Sequence, residues 1–342
     1  MVEQAKVIII AEAGVNHNGD IGLAKKLIDT AAEAGADYVK FQTFKAEKLV
    51  SPSARKAEYQ QVNDSDKDTS QFSMLKRLEL DAGMHRELME YAAQKRIGFL
   101  STGFDPESLD LLYELGIELY KIPSGEITNL PLLEKIASFG KPVIISTGMA
   151  TLQDIDDAIG ALISGGINKT NITVLHCNTQ YPTPMEDVNL RAMQTIANSF
   201  QVKVGYSDHT LGIEVPIASV ALGACVVEKH FTLDRTLPGP DHAASLEPNE
   251  LAQMVSAIRN IELALGTAFK EPSPSELPNM AVARKSVHLV FERKQGDLLI
   301  EDDLIMLRPG DGISPMNFRS TIGRRLLRDL PAGHKLNWSD LA

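Results

Sequence analysis

Two histidines, His209 in GYSDHT and His230 in EKHF, each end a strand-like run, and each has a carboxylate close by, Asp208 and Glu228. Imidazoles brought together with oxygen donors can share a divalent cation (Mn2+, Mg2+ or Zn2+) and leave open positions for water or a substrate oxygen. The plainer reading is two separate histidines, one capping and one hydrogen-bonded. Two lysines stand in the same kind of position, Lys40 in DYVKFQ and Lys121 in ELYKI. A pair of fixed positive charges suits a phosphate or carboxylate, with Thr102, Ser124 and Ser207 as neutral donors. Either lysine could instead be a Schiff-base nucleophile, or simply snorkel at a strand end. Glu12, Gln42, Ser101, Glu126, Thr147 and the stretch from His176 to Tyr181 complete the set.

These residues sit at or just after the ends of short β-rich runs. The runs are KVIIIA (6–11), DYVKFQ (37–42), IGFLST (97–102), ELYKI (118–122), PVIIST (142–147), ITVLHC (172–177), VKVGYS (202–207) and CVVEKH (225–230). Between them lie amphipathic stretches such as IGLAKKLIDTAAEAGA and MHRELMEYAAQKR, with apolar residues three and four apart. Gly35, Gly116 and Gly140 stand where helix C-termini favour glycine. Eight strand–helix units in about 250 residues match a (β/α)8 TIM barrel. A doubly wound sheet usually has fewer units and a glycine-rich phosphate loop after its first strand, which AEAGVNHNG lacks. In a barrel the C-terminal strand ends build the active site. A purely structural barrel has no reason to carry so many desolvated polar groups there. Strand alternation sends Glu228 and His230 into the mouth and Lys229 to the other side.

The 342 residues carry a net charge of −11, with 44% hydrophobic and 23% charged residues. That suits a soluble globular protein and argues against nonspecific nucleic-acid binding, which rewards clustered Lys and Arg. No apolar run reaches membrane-spanning length, and MVEQAKVIIIAEAG is too short in apolar length for a signal peptide. Cys177 and Cys225 form no disulfide pattern, which points to a reducing cytoplasm.

Residues 45–78 interrupt the alternation, carry NDSDKD, and are expected to form a loop or hairpin over the barrel mouth. The stretch EPSPSELPN reads as a linker. This divides the chain into a barrel (1–270), a linker (271–283) and a small tail (284–342). The tail is slightly basic, with ten Lys+Arg against eight Asp+Glu, beside an acidic body. It contains a weak repeat, QGDLLIEDDL (295–304) and AGHKLNWSDL (332–341), which suggests a pseudo-twofold β module. Arg308 in LRPGDG lies in what looks like a surface turn.

The motifs AEAGVNHNG, VKFQTF, FLSTGFD, YKIPSGE, KPVIISTGM, LHCNTQYPTP, GYSDHT, EKHF, GPDH and RPGDG, in this order, resemble the sialic acid (nonulosonic acid) synthase family across nearly the whole chain. The resemblance implies a TIM barrel followed by a C-terminal antifreeze-like (SAF, β-clip) domain. It implies condensation of phosphoenolpyruvate with an N-acetylated amino sugar. His209 and His230 would hold a divalent metal, Mn2+ or Mg2+. Lys40, Thr102, Lys121, Ser124, Thr179 and Ser207 would bind phosphoenolpyruvate. Thr179 stands where sialic acid synthases carry Asn, with Asn178 just before it. Gln42, Tyr181, Glu228 and Asp241 would meet the sugar. Glu12, Glu126 and Glu228 are the catalytic carboxylate candidates.

Arg308 matches an arginine that the tail sends into the sugar site of the other subunit, which implies a domain-swapped homodimer. HCNTQYPTP, KIPSGEITNLP and MEDVNL look more like the legionaminic acid synthase branch, which uses 2,4-diacetamido-2,4,6-trideoxymannose. The alternative is N-acetylneuraminate synthesis from N-acetylmannosamine. More distant alternatives are a lysine (Schiff-base) aldolase and a non-enzymatic sugar-binding protein.

Overall fold

The computed structural model describes residues 6–63 and 68–342. The opening MVEQA, part of the segment weighed against a signal peptide, and the centre of NDSDKD lie outside the described residues. The chain forms two compact units, one up to Gly266 and one over Thr267–Ala342.

The first unit begins β1 (Ile8–Gly14), α1 (Ile21–Ala34), β2 (Tyr38–Thr43), α2 (Ala46–Leu49), α3 (Glu58–Asn63), α4 (Gln71–Leu78) and α5 (Ala82–Gln94). It continues β3 (Gly98–Gly103), α6 (Pro106–Glu114), β4 (Tyr120–Ile122), α7 (Leu130–Ser138), β5 (Val143–Ser146) and α8 (Leu152–Ser164). It ends β6 (Ile172–His176), α9 (Arg191–Phe200), β7 (Lys203–Asp208), α10 (Glu214–Ala221), β8 (Val226–His230) and α11 (Pro248–Leu265). All eight strands run parallel in the order β3-β2-β1-β8-β7-β6-β5-β4. β3 and β4 lie side by side without a shared ladder, so the barrel is nearly closed.

Helix starts follow local chemistry. Asp20, Asp81 and Asp105 accept from the backbone N–H groups of Leu23, Met84 and Ser108, and Thr151 with Asp154 forms a capping box. Gly35 ends α1 in the left-handed conformation at φ 81°.

The strands bury both faces, for different purposes. Ile9, Ala11, Val39, Phe41 and Val227 point out to the helices and join the main core. Ile10, Leu100, Ile144, Leu175 and Val226 fill the barrel, with Tyr38 and Leu119 against them. Two residues further along, on the same face, stand Glu12, Lys40, Thr102, Lys121, Ser146, Cys177 and Glu228. Ser207 follows Gly205 on β7 in the same way. An apolar layer thus carries a polar layer above it on every strand.

The interruption after β2 is not a loop or hairpin. It folds into α2, α3 and α4, because FSMLKRL presents Met74, Leu75 and Leu78 to an apolar cluster with Val15, Phe44 and Ala46.

The second unit contains α12 (Leu277–Ala283), β9 (Ser286–Leu289), β10 (Leu304–Leu307) and α13 (Phe318–Thr321). Part of the expected linker is therefore helical, and Gly310 N donates to Ala281 O. The repeat is visible in the backbone. Gly296 N donates to Leu326 O and Gly333 N to Leu289 O; Leu326 N donates to Asp297 O and Leu289 N to His334 O. Each bond is the image of its mate under an offset of 37, the step from Gly296 to Gly333. Among the described residues no helix is long and apolar enough to cross a membrane.

Candidate active site

The polar layer converges at the C-terminal strand ends. Lys40 Nζ lies 2.9 Å from Glu12 Oε2 and 3.6 Å from Glu228 Oε2, and donates to Thr102 Oγ1 at 3.0 Å. Lys121 Nζ donates to Ser146 Oγ at 2.5 Å and lies 3.5 Å from Glu228 Oε1. Ser207 Oγ donates to Glu228 Oε1 at 3.0 Å, and Gln42 Nε2 to Glu12 Oε1 at 3.4 Å. Two lysines and two carboxylates are buried together, so they are balanced within the protein before any substrate arrives.

The two carboxylates are pushed in opposite directions. Burial raises Glu12 to about 7 against the pull of Lys40, and the charge of Glu228 adds to the rise. Burial also works to raise Glu228, but Lys121 and Lys40 outweigh it and hold that carboxyl down at about 2. Such a split marks one group for proton transfer and one for fixed charge. Burial lowers Lys121 despite the neighbouring Glu228.

The two histidines do meet. Their rings lie 5.4 Å apart, with Tyr181 stacked on His209 at 4.0 Å and edge-on to His230 at 5.4 Å. His209 Nδ1 bonds Asn178 O at 2.5 Å, and Tyr181 OH lies 2.9 Å from Nε2. With Nδ1 donating to a carbonyl, Nε2 carries the lone pair. Burial lowers His209 to about 4 and His230 well below its ordinary value, so both rings are neutral at pH 7. His230 Nδ1 is buried without a hydrogen-bond partner, and Asp241 Oδ2 lies 4.0 Å away. Two neutral imidazoles, one with an orphaned nitrogen, fit a divalent cation that takes its other ligands from water or substrate. Among the described residues no group of three or more His, Cys, Asp or Glu converges as a complete ligand set.

A cavity of about 280 Å3 connects these groups, and Glu12, Lys40, Gln42, Thr102, Lys121, Ser124, Thr179, Tyr181, Ser207, His209, Glu228, His230 and Asp241 all line it. Ser124 Oγ accepts from Gly148 N at 2.9 Å and lies 3.2 Å from Cys177 Sγ. A Cβ on Gly148 would come within 2.4 Å of Thr179 Cγ2 and 2.8 Å of Ser124 Oγ, so only glycine allows this approach. Asp241 is raised to about 6 by burial.

Several sequence expectations land elsewhere. Glu126 turns to Asn129 Nδ2 at 2.6 Å and does not line the cavity. Asp208 is not an oxygen donor to the histidines: on the outer face it accepts from Lys229 Nζ at 2.5 Å and from Thr210 N and Oγ1. Lys229 does face away from the mouth, as alternation requires. Thr147 donates to Leu175 O, and Ser101 bonds Thr43 Oγ1; the inward residues of those strands are Ser146 and Thr102. Arg308 lies in the second unit, as the sequence places it, and its guanidinium donates to Ala283 O. Cys177, within the expected stretch from His176 to Tyr181, lines the cavity; sequence reasoning missed Ser146, although the two-residue step from Ile144 points to it. It also missed Met74, Leu75, Leu78 and Phe104, for which no strand periodicity exists.

This fold and site define a barrel enzyme with two buried lysines, two buried carboxylates and a histidine pair gathered at its strand ends. The chain belongs to the NeuB family: the sequence model of that family matches residues 27–270, and that of the SAF domain matches residues 294–342. It is 52% identical over 319 residues to the N,N'-diacetyllegionaminic acid synthase of Campylobacter jejuni, covering 93% of this chain and 95% of that one. It is 50% identical over 335 residues to the N,N'-diacetyllegionaminic acid synthase of Legionella pneumophila, covering 97% and 94%. A crystal structure of N-acetylneuraminic acid (sialic acid) synthetase from Leptospira borgpetersenii, in complex with citrate, superposes with a TM-score of 0.70 at 38% identity, covering 80% of this chain and 90% of that one.

Proposed function

We propose that the protein is a nonulosonic acid synthase that condenses phosphoenolpyruvate with 2,4-diacetamido-2,4,6-trideoxymannose, giving N,N'-diacetyllegionaminate and inorganic phosphate. The observation that carries this reading is the buried Lys40–Glu228–Lys121 bridge beside two neutral imidazoles. Roughly half of all positions are shared with each of two N,N'-diacetyllegionaminic acid synthases, which supports the sugar assignment.

In this reading Lys40, Lys121, Thr102, Ser124, Thr179 and Ser207 hold phosphoenolpyruvate, and Gln42, Tyr181, Glu228 and Asp241 orient the open-chain sugar. A divalent ion, Mn2+ or Mg2+, on His209 and His230 supplies Lewis-acid polarisation when bound. The methylene carbon C3 of phosphoenolpyruvate bonds to the aldehyde carbon with the electron pair of its double bond. The aldehyde's π electrons move to its oxygen, which takes up a proton, and C2 is left as an oxocarbenium centre. Water then adds to the former enol carbon C2 and gives up a proton. Glu12 is the group to take it, since it lines the cavity and Glu126 does not. Cleavage of the C2–O bond to the phosphoryl group releases inorganic phosphate, while the hydroxyl that water left on C2 loses its proton and becomes the carbonyl of the α-keto acid. Glu228, held ionised between two lysines, keeps their charges fixed where negative charge shifts. The same reading includes a cytoplasmic location and a domain-swapped homodimer in which Arg308 completes the partner's sugar site.

Phosphate release from phosphoenolpyruvate, measured with each candidate sugar and with or without EDTA, tests it. Release with the diacetamido sugar that EDTA abolishes is expected. Release with no hexosamine, or release that EDTA leaves untouched, sinks the reading. A borohydride-trapped adduct on Lys121 or Lys40 would point to the aldolase instead.

A further inference from the structure

The cavity is not uniformly polar. Met74, Leu75 and Leu78 of α4 line it beside Val15 and Phe104. Met74, Leu78 and Pro240 also line a second cavity of about 210 Å3, so one apolar partition serves both. The partition is held in place by its surroundings. Ser70 caps α4 by accepting from Ser73 N at 3.2 Å, and Glu79 just beyond it accepts from Ala46 N at 2.8 Å. Gly19, at φ +76°, lies against the end of α4, where an added Cβ would come within 2.5 Å of Arg77 O. A wall fixed at both ends can discriminate shape and polarity, because it does not move aside for the wrong ligand.

We propose that Met74, Leu75 and Leu78 are the specificity-determining apolar subsite for the acceptor, selecting a 6-deoxy amino sugar over one with a 6-hydroxyl. The inference rests on the synthase reading above and adds which part of the sugar this wall meets. The strand-end lysines, hydroxyls, carboxylates and imidazoles account for phosphoenolpyruvate and the reacting aldehyde. The largest apolar part of the remaining lining is the thioether and isobutyl surface of α4, continued by Val15, Phe104 and Pro240, with the Gln60 amide of α3 as a polar group on the same cavity. A methyl carbon at sugar C6 loses nothing against such a surface and gains burial. A hydroxyl there gives up its water and finds no donor, and only the weak thioether acceptor of Met74, on these three side chains. An apolar pocket rejects an added hydroxyl by at most about 100-fold, so N-acetylmannosamine is a poor substrate rather than an inert one.

The test uses the full chain with phosphoenolpyruvate and reads phosphate release as kcat/KM. The first arm needs no variant and compares N-acetylmannosamine with its 6-deoxy analogue, which differ only at C6. The analogue is expected to be better by about 10- to 100-fold. Equal values, or a preference for the hydroxylated sugar, overturn the subsite. The second arm compares the same two sugars on Leu78→Asn, Met74→Gln and the conservative Leu78→Met. The two polar variants are expected to shrink the ratio about tenfold, and Leu78→Met to keep it. Folded polar variants that lower both sugars equally overturn the proposal. Release with neither sugar nor with the diacetamido sugar overturns the synthase reading itself, and the subsite with it.

Discussion

Asp208 and Lys229 are direct register partners on β7 and β8, and they form an ion pair on the outer side of the barrel, with Nζ 2.5 Å from Oδ2 and both side chains fully buried. Ser207 and Glu228, also register partners, face each other on the inner side at 3.0 Å. The two pairs stand back to back. One locks the strands and the other works in the cavity, and His209 and His230 follow directly after them. Lys229→Met leaves a buried carboxylate without its cation and is expected to cost about 3–5 kcal/mol. Adding Asp208→Asn should recover part of that loss, because the double variant buries no lone charge. Urea unfolding of both variants decides it. An undiminished single variant would mean that water reaches Asp208.

Glu12 is the group whose protonation should show in the rate. Raised to about 7, chiefly by burial, it must lose its proton before it can take one from water. The expected result is a kcat/KM that falls as pH drops through about 7. Glu12→Gln should lose about 100- to 10,000-fold and show no such limb. A variant that keeps the wild-type pH profile would assign the proton transfer elsewhere.

The histidine pair should govern metal affinity as well as rate. His230→Ala removes the orphaned Nδ1 and is expected to abolish tight Mn2+ binding in calorimetry. Tyr181→Phe removes only the hydroxyl beside His209 Nε2 and leaves both imidazoles in place, so it should weaken affinity far less than His230→Ala. Undisturbed binding in His230→Ala would place the ion away from this pair.

At the base of the barrel, Asp37 gathers Lys6 at 2.6 Å, the N–H of Ile9 at 2.8 Å and Arg259 at 2.6 Å. Burial works to raise its pKa, but these three partners outweigh it and depress it. A depressed carboxyl contributes stability above its ordinary pKa and loses it as pH falls through the folded value. Asp37→Asn should therefore cost about 1–3 kcal/mol at neutral pH. Its thermal transition should converge with that of the wild type well below pH 4. A constant gap across that range would show that the loss is not ionic.

Much of the site is legible because strand alternation is a local property. Ile10 and Glu12, Tyr38 and Lys40, and Val226 and Glu228 are each two residues apart on one strand, so an apolar interior predicts polar groups above it. The same rule, applied strictly, corrects Thr147 to Ser146 and turns Asp208 outward. Glu126 escaped it, since that residue lies past the end of β4 in a turn of its own. The α4 wall escaped because an eight-residue amphipathic helix in a polar stretch does not reveal what its apolar face will meet.

The sequence by itself determined the eightfold alternation, the two-residue step from core to mouth, the repeat in the tail and the motifs that mark the family. All of these depend on neighbours along the chain, where backbone geometry sets the outcome. Only the tertiary structure decided which polar groups touch. Lys40 finds Glu12 and Glu228, His209 finds His230, and Met74 reaches the same cavity from far along the chain. Those contacts follow from closure of the barrel, which brings β1 beside β8. Burial then splits two like carboxylates between about 7 and about 2. A linear sequence contains no distance between strands and no dielectric, and both arise only when the core closes.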